Sequence, residues 1–191
     1  ITIGPRHGRP AVFMVNDTDS PWCGELRLRS VGFDAMDLGR GDVVPFEVPL
    51  RSARRLVEIE STCGRPRDPT REIIVAESDG LRTCWYHLPD RELNYPAPSA
   101  RIAIEEPSSG RFSAKVHAVS LLRDVGGQVA GRQLRSIPGT LLPGETICFD
   151  IDAEQSERTD QAFPTRGLMW PPGLWCANLF GAIDHIGPER P

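Results

Sequence analysis

An all-β fold, two consecutive antiparallel β-sandwiches with little helix, is predicted by three observations. Apolar residues recur mostly with period two. With 18 Gly and 18 Pro in 191 residues, the chain is interrupted too often for many long helices. A Pro-rich stretch, Leu93-Asn94-Tyr95-Pro96-Ala97-Pro98, lies near the middle. Taken in order, strands are predicted at Ala11–Val15, Glu25–Arg29, Arg55–Glu60, Glu72–Ala76 and Leu81–Leu88 before that stretch. After it they are predicted at Arg101–Glu105, Ser113–Ala118, Thr146–Ile151 and Leu174–Leu179. In Glu25-Leu26-Arg27-Leu28-Arg29 the leucines face one way and the charges the other, the pattern of a half-buried antiparallel strand. Ser113–Ala118 repeats it, and in Ile147–Asp152 two acids alternate with apolar residues. Leu50, Ala53, Leu56 and Val57 have helical spacing, but Pro49 and the β-branched Val57 and Ile59 favour a strand. The polar segment Asp152–Ala162 has no Gly or Pro and suits a short surface helix.

The two central prolines bias their predecessors toward extended geometry and make a stiff connector. The chain therefore reads as a domain at residues 1–92, a linker at 93–98 and a second domain at 99–191. Each half opens as strand, polar turn, strand. The first turn is Asn16–Ser20 and the second Glu105–Gly110. These lengths accommodate roughly seven short strands each.

Composition excludes several classes of function. The hydrophobic content of 39% is enough to build a packed core. No apolar run approaches the roughly 18 residues of a membrane span, and with net charge −4 and no basic tract, neither membrane nor nucleic acid is expected as a partner. Every one of the 22 basic residues except Lys115 is Arg, a mark of G+C-rich coding rather than of Arg chemistry. The chain begins at Ile1, its first Met is Met14, and it is expected to be a piece of something longer.

No motif supplies catalysis or holds a cofactor. Glu105-Glu106 and Asp150/Asp152 read as solvated acids rather than the close, environment-split pair a glycosidase needs. His7, His87, His117 and His185 are scattered without ligand spacing, and His117 is expected to point outward beside Lys115. There is no phosphate loop, nucleophile elbow or dinucleotide fingerprint. Asp17 and Asp19 suit turn capping better than calcium, and Asn16-Asp17-Thr18 matches a glycosylation acceptor, a tripeptide common by chance that signifies only in a secreted eukaryotic protein. Five cysteines (Cys23, Cys63, Cys84, Cys148 and Cys176) lack the Trp placement of an immunoglobulin-type bridge. Buried thiols in a reducing, cytoplasmic compartment are expected, although Cys148 and Cys176 are candidate neighbours. Of Trp22, Trp85, Trp170 and Trp175, core packing is expected for Trp85. Trp22, Trp170 and Trp175 are the candidates for carbohydrate or interdomain contact.

The motifs themselves resemble a family. Ala11-Val12-Phe13-Met14-Val15-Asn16-Asp17-Thr18, then Pro21-Trp22 and Gly24-Glu25-Leu26, resembles the start of the immunoglobulin-like domain that follows the catalytic barrel in β-mannosidases of glycoside hydrolase family 2. Arg82–Tyr86, Asp90–Leu93 and Tyr95-Pro96 are similar to its end and connector. Ala118–Val125, Leu141–Glu145 and Pro171–Asn178 resemble, in order, the C-terminal immunoglobulin-like domain of those enzymes. The resemblance implies two immunoglobulin-like sandwiches that scaffold a (β/α)₈ barrel in a bacterial parent chain. It implies that the parent cleaves terminal non-reducing β-mannosides with two glutamates on that barrel. A barrel typically takes about 250 residues, so catalysis is expected outside this chain and no catalytic residue carries over. Weak manno-oligosaccharide contact through a tryptophan, as in a carbohydrate-binding module, and an adhesion-type module are the alternatives. The latter predicts paired cysteines.

Overall fold

Period-two alternation in the sequence becomes antiparallel sheets in the computed structural model, which describes residues 1–6, 8–34, 37–108, 111–129, 132–133, 140–151 and 173–175. The chain divides into two compact units, Ile1–Tyr95 and Pro96–Pro191. The first contains β1 (Thr2–Arg6), β2 (Arg9–Asn16), β3 (Trp22–Gly32), β4 (Asp37–Val48), β5 (Ser52–Glu58), a short α1 (Ile59–Cys63), β6 (Glu72–Ser78) and β7 (Leu81–Tyr86). One sheet has the order β1-β2-β5 and the other β4-β3-β6-β7, with every neighbouring pair antiparallel.

The core lies between these sheets. Val12 and Met14 of β2 face Leu26 and Leu28 of β3, Phe46 and Val48 of β4, and Ile74 and Ala76 of β6. Each large apolar side chain removed from water here contributes about 1.5–3 kcal/mol. The exposed Glu25 and Arg27 alternate with the buried Leu26 and Leu28, as expected. Strand β6 is buried almost throughout, because it is central in its sheet and Ile73 and Val75 on its other face are buried too.

Two strands of this unit escape the sequence pattern, β1 and β4. Both are edge strands, where a proline's missing N–H faces no ladder partner, so Pro5 in β1 and Pro45 in β4 are tolerated. In β4 the inward positions Val44, Phe46 and Val48 do alternate, but Gly39, Gly41 and Pro45 mask the signal. Gly41 is required, since a Cβ there would lie 2.1 Å from the Leu28 carbonyl oxygen and 2.8 Å from Arg29 Cα.

The expected strand Arg55–Glu60 stops at Glu58, and Ile59–Cys63 is helical instead. Ile59 and Cys63 are four residues apart, so a single helical turn buries both in the core, whereas a strand would bury alternate residues. Gly64, with φ +70, ends the turn and donates its N–H to the Glu60 carbonyl. The β6–β7 hairpin turns through Asp79 (φ +50) and Gly80 (φ +76), the two positive-φ residues of a type I′ turn. Strand β7 ends at Tyr86, two residues before the predicted Leu88.

In the second unit, β8 (Ala100–Ser108), β9 (Arg111–Ala118) and β12 (Thr146–Ile151) form a sheet in the order β12-β9-β8. A second sheet, β11-β10-β13, joins β11 (Arg132–Gln133), β10 (Gly126–Val129) and β13 (Gly173–Trp175). Among the described residues of this unit, Ala100, Val116, Ala118, Leu121, Leu122, Val125, Leu141 and Leu142 are the buried apolar ones. At Leu142-Pro143-Gly144-Glu145, where Pro-Gly is a turn signal in the sequence, the chain reverses before β12. Gly144 has φ +86, the Glu145 N–H bonds the Leu142 carbonyl at 3.0 Å, and the Glu145 carboxylate accepts the Leu142 N–H at 2.9 Å. The expected polar turn at Glu105–Gly110 is shorter than predicted, because β8 continues to Ser108. The candidate helix Asp152–Ala162 and most of the predicted strand Leu174–Leu179 lie outside the described residues.

Candidate functional site

Trp22 is the one contact candidate whose side-chain environment is described. Half-buried at the start of β3, its indole meets the Phe46 ring edge-on, with centroids 5.2 Å apart at 85°. Its Nε1–H donates to Asp79 Oδ2 at 2.8 Å. Gly24, two residues on, leaves room for this arrangement: a Cβ there would sit 3.1 Å from Phe46 and 3.2 Å from the Asp79 carboxylate. The Phe46 contact and the hydrogen bond to the Asp79 hairpin thus tie down the ring and the polar tip of Trp22. Trp85, expected in the core, packs against it while only partly buried. Trp175 is described only as backbone in β13, and Trp170 lies outside the described residues.

The Asn16–Ser20 segment is built around one amide. Asn16, 2% exposed, donates Nδ2 hydrogens to the carbonyls of Ser20 (2.8 Å), Val48 (3.1 Å) and Pro49 (3.1 Å). Its Oδ1 accepts the Thr18 N–H at 3.1 Å and the Thr18 hydroxyl at 2.7 Å. A side chain so engaged cannot receive a glycan in the folded chain, so the acceptor match at Asn16-Asp17-Thr18 has a structural meaning instead. The capping falls to Asn16, while Asp17 is exposed and Asp19 pairs with Arg51 at 2.8 Å.

A polar cluster that sequence reasoning missed closes one end of the first unit. Glu72, 5% exposed at the start of β6, takes the Arg40 guanidinium on Oε2. On Oε1 it takes the backbone N–H groups of Arg67 (3.1 Å) and Asp68 (3.0 Å). Arg40 also donates to Ser30 Oγ at 3.2 Å and to the Arg65 carbonyl at 2.6 Å. His87 lies beside this pair, its pKa held below the ordinary imidazole value chiefly by burial; Glu72 opposes that shift and Arg40 adds to it. No sequence signal joins positions 30, 40, 72 and 87, because three different strand pairings bring them together.

The acids and histidines weighed in the sequence form no common site among the described residues. Glu105 lies in β8 rather than in a turn, with Glu106 beside it in the same strand. Asp150 is in β12, and Asp152 is outside the described residues. The ring of His117, half-buried, hydrogen-bonds Thr146 Oγ1 at 2.9 Å across the β9–β12 pair. His7 and His185 lie outside the described residues, among which no three His, Cys, Asp or Glu side chains converge as metal ligands. No helix among them is long and apolar enough to cross a membrane. Cys23, Cys63, Cys84 and Cys148 are thiols. Only Cys63 is fully buried, and burial pushes its pKa up to about 11 against a smaller opposing effect of Arg40. Cys23 and Cys148 are exposed, contrary to the expectation of burial. They lie on strands whose alternate residues face solvent. The candidate partner Cys176 lies outside the described residues.

Fold and site thus define an all-β protein of antiparallel sheets, with buried polar groups serving loops and no assembled catalytic constellation among the described residues. Neither a family model nor a curated protein matches the chain. Among solved structures it is similar to the β-D-mannosidase of Dictyoglomus thermophilum, with TM-score 0.61 and 19% identity, over 82% of this chain and 20% of that one. It also matches the exo-chitosanase CsxA of Amycolatopsis orientalis, with TM-score 0.49 and 14% identity, over 78% of this chain and 23% of that one. Each likeness therefore covers a small part of a larger glycosidase chain, and the first establishes a shared fold.

Proposed function

We propose that this chain is the non-catalytic, C-terminal β-sandwich region of a β-mannosidase-like enzyme of glycoside hydrolase family 2. Both units are then immunoglobulin-like domains, and their partner is a (β/α)₈ barrel on the same parent chain. That barrel carries the two catalytic glutamates and hydrolyses terminal non-reducing β-D-mannose residues. The observation that carries this reading is the fold match to 20% of a β-D-mannosidase over 82% of the present chain. The ordered motifs from Ala11 to Asn178 support it independently. So does the engagement of Trp22 by Phe46 and Asp79, which suits a packing anchor better than an open sugar platform.

The test compares the 191-residue chain with its parent on a chromogenic β-mannoside and on the matching β-glucosaminide. The expected result is no turnover by the chain alone, β-mannoside hydrolysis by the parent, and loss of the parent's thermal stability when these residues are deleted. Turnover by the isolated chain overturns the scaffold reading. A parent that prefers the glucosaminide overturns the mannoside assignment and leaves the scaffold role standing. Millimolar binding of manno-oligosaccharide by the isolated chain, abolished by Trp22→Ala, favours the carbohydrate-binding alternative.

A further inference from the structure

We propose that residues 64–72 form a strap that holds the departing segment Leu93–Tyr95 against the first unit, with the ion pair between half-buried Arg40 and buried Glu72 as its pin. The strap, Gly64-Arg65-Pro66-Arg67-Asp68-Pro69-Thr70-Arg71-Glu72, is fastened near its middle. Arg40 holds the Arg65 carbonyl at 2.6 Å, and Glu72 Oε1 holds the N–H groups of Arg67 and Asp68. Pro66 and Pro69 fix two of its φ angles, which lowers the entropy lost on ordering it.

From this fixed point the strap turns on Asp68. Asp68 Oδ1 accepts the Thr70 N–H at 3.0 Å and the Thr70 hydroxyl at 2.6 Å. Those two bonds hold the exposed Asp68 carboxyl below its ordinary pKa. Thr70 then receives the departing segment. Its carbonyl accepts the Asn94 N–H at 2.8 Å, and its hydroxyl oxygen accepts the Asn94 side-chain amide at 3.1 Å. One residue further, Tyr95 stacks on Phe33 with centroids 5.0 Å apart and 9° between planes, and it meets Tyr86 edge-on at 6.5 Å. Phe33 is itself tied to the strap, its N–H donating to the Arg71 carbonyl at 3.0 Å. Leu93 is buried, and its N–H closes on the Asp90 carbonyl at 3.1 Å. Residues read from the sequence as the start of a linker are thus held by the strap and by aromatic rings of the first unit. A hydrogen-bonded line runs from the Arg40–Glu72 ion pair to the point where the chain leaves that unit.

Such a line makes a specific claim about coupling, because local opening at one end must be felt at the other. Amide hydrogen exchange on the whole chain reads it directly. Glu72→Gln keeps the shape and removes the charge that holds Arg40. The expected result is roughly tenfold or greater acceleration at Arg67, Asp68 and Asn94, with Leu28 and Ile74 in the core unchanged. Two results overturn the proposal: unchanged exchange at Arg67 and Asp68, or retained protection of Asn94 once those two have opened. Should Glu72→Gln fail to fold, the exposed Asp68→Ala serves in its place. It is expected to accelerate Thr70 and Asn94, with rescue by Asp68→Asn, and unchanged Asn94 exchange in Asp68→Ala overturns the strap.

Discussion

Replacing Asn16 by Ala is the most informative perturbation of the first unit. The side chain donates to three carbonyls and accepts from Thr18 twice, while exposing 2% of its surface. It has two amide hydrogens for those three carbonyls, so one contact is shared. Two donated bonds and the accepted Thr18 N–H contribute about 1 kcal/mol each. The Val48 carbonyl, in the buried contact, loses its side-chain donor without gaining water. The expected loss is about 3 kcal/mol. With a urea slope of about 2 kcal/mol per molar, the unfolding midpoint of this unit falls by roughly 1.5 M. The assay is urea titration followed by circular dichroism and tryptophan fluorescence. Asn16→Asp sharpens it, because a carboxylate still accepts from Thr18 but cannot donate to the three carbonyls. Burial near those oxygens raises the new carboxyl's folded pKa above its unfolded value. Its stability therefore falls as pH rises from 3 to 7, a trend Asn16→Ala does not share. A loss below about 0.5 kcal/mol for Asn16→Ala, far under the worth of the bonds it removes, refutes the reasoning.

The other predictions concern sites with distinct physics. Gly41→Ala places a methyl 2.1 Å from the Leu28 carbonyl oxygen and should cost about 3 kcal/mol in a thermal melt; Gly39→Ala, with open space at φ +62, should cost about 1 kcal/mol. Because the folded pKa of His87 is depressed, the unfolded chain binds more protons just below the unfolded value of about 6.5. Stability is thus lost as pH falls through 6.5 toward the folded pKa, and His87→Gln should flatten that part of the urea-midpoint profile. A chromogenic disulfide reagent at pH 8 should titrate the exposed Cys23 and Cys148 rapidly, and Cys63 only after unfolding, as peptide mapping of the labelled sites will show.

Legibility in the sequence followed the strength of local periodicity. Strands β2, β3, β6, β8, β9 and β12 were readable because their sequences alternate apolar with polar residues or run apolar, as Ala11–Val15 does in β2 and Ile73–Ala76 in β6. Strands β1 and β4 were not, since edge positions tolerate Gly and Pro, the residues that break the pattern, and β10 and β11 are too short to show one. The single turn at Ile59–Cys63 was invisible because its i, i+4 pair is too short a run to set against β-branched neighbours. Turn chemistry was legible wherever one dipeptide carried it, as at Pro143-Gly144. Asp79-Gly80 carries an equally plain hairpin signal, although no turn was predicted there.

By itself, then, the sequence determined the all-β class, the principal strands and the polar turns at Asn16 and Pro143. These depend on residues a few positions apart, whose alternation and φ preferences act before any tertiary contact forms. Only the tertiary structure decided what those residues do. It made Asn16 the hub of a turn and engaged Trp22 between Phe46 and Asp79. It also gathered Ser30, Arg40, Glu72 and His87 into one cluster. Such groupings depend on strand order, and strand order is set by which apolar faces meet in the core, a property of the whole unit that no local window contains.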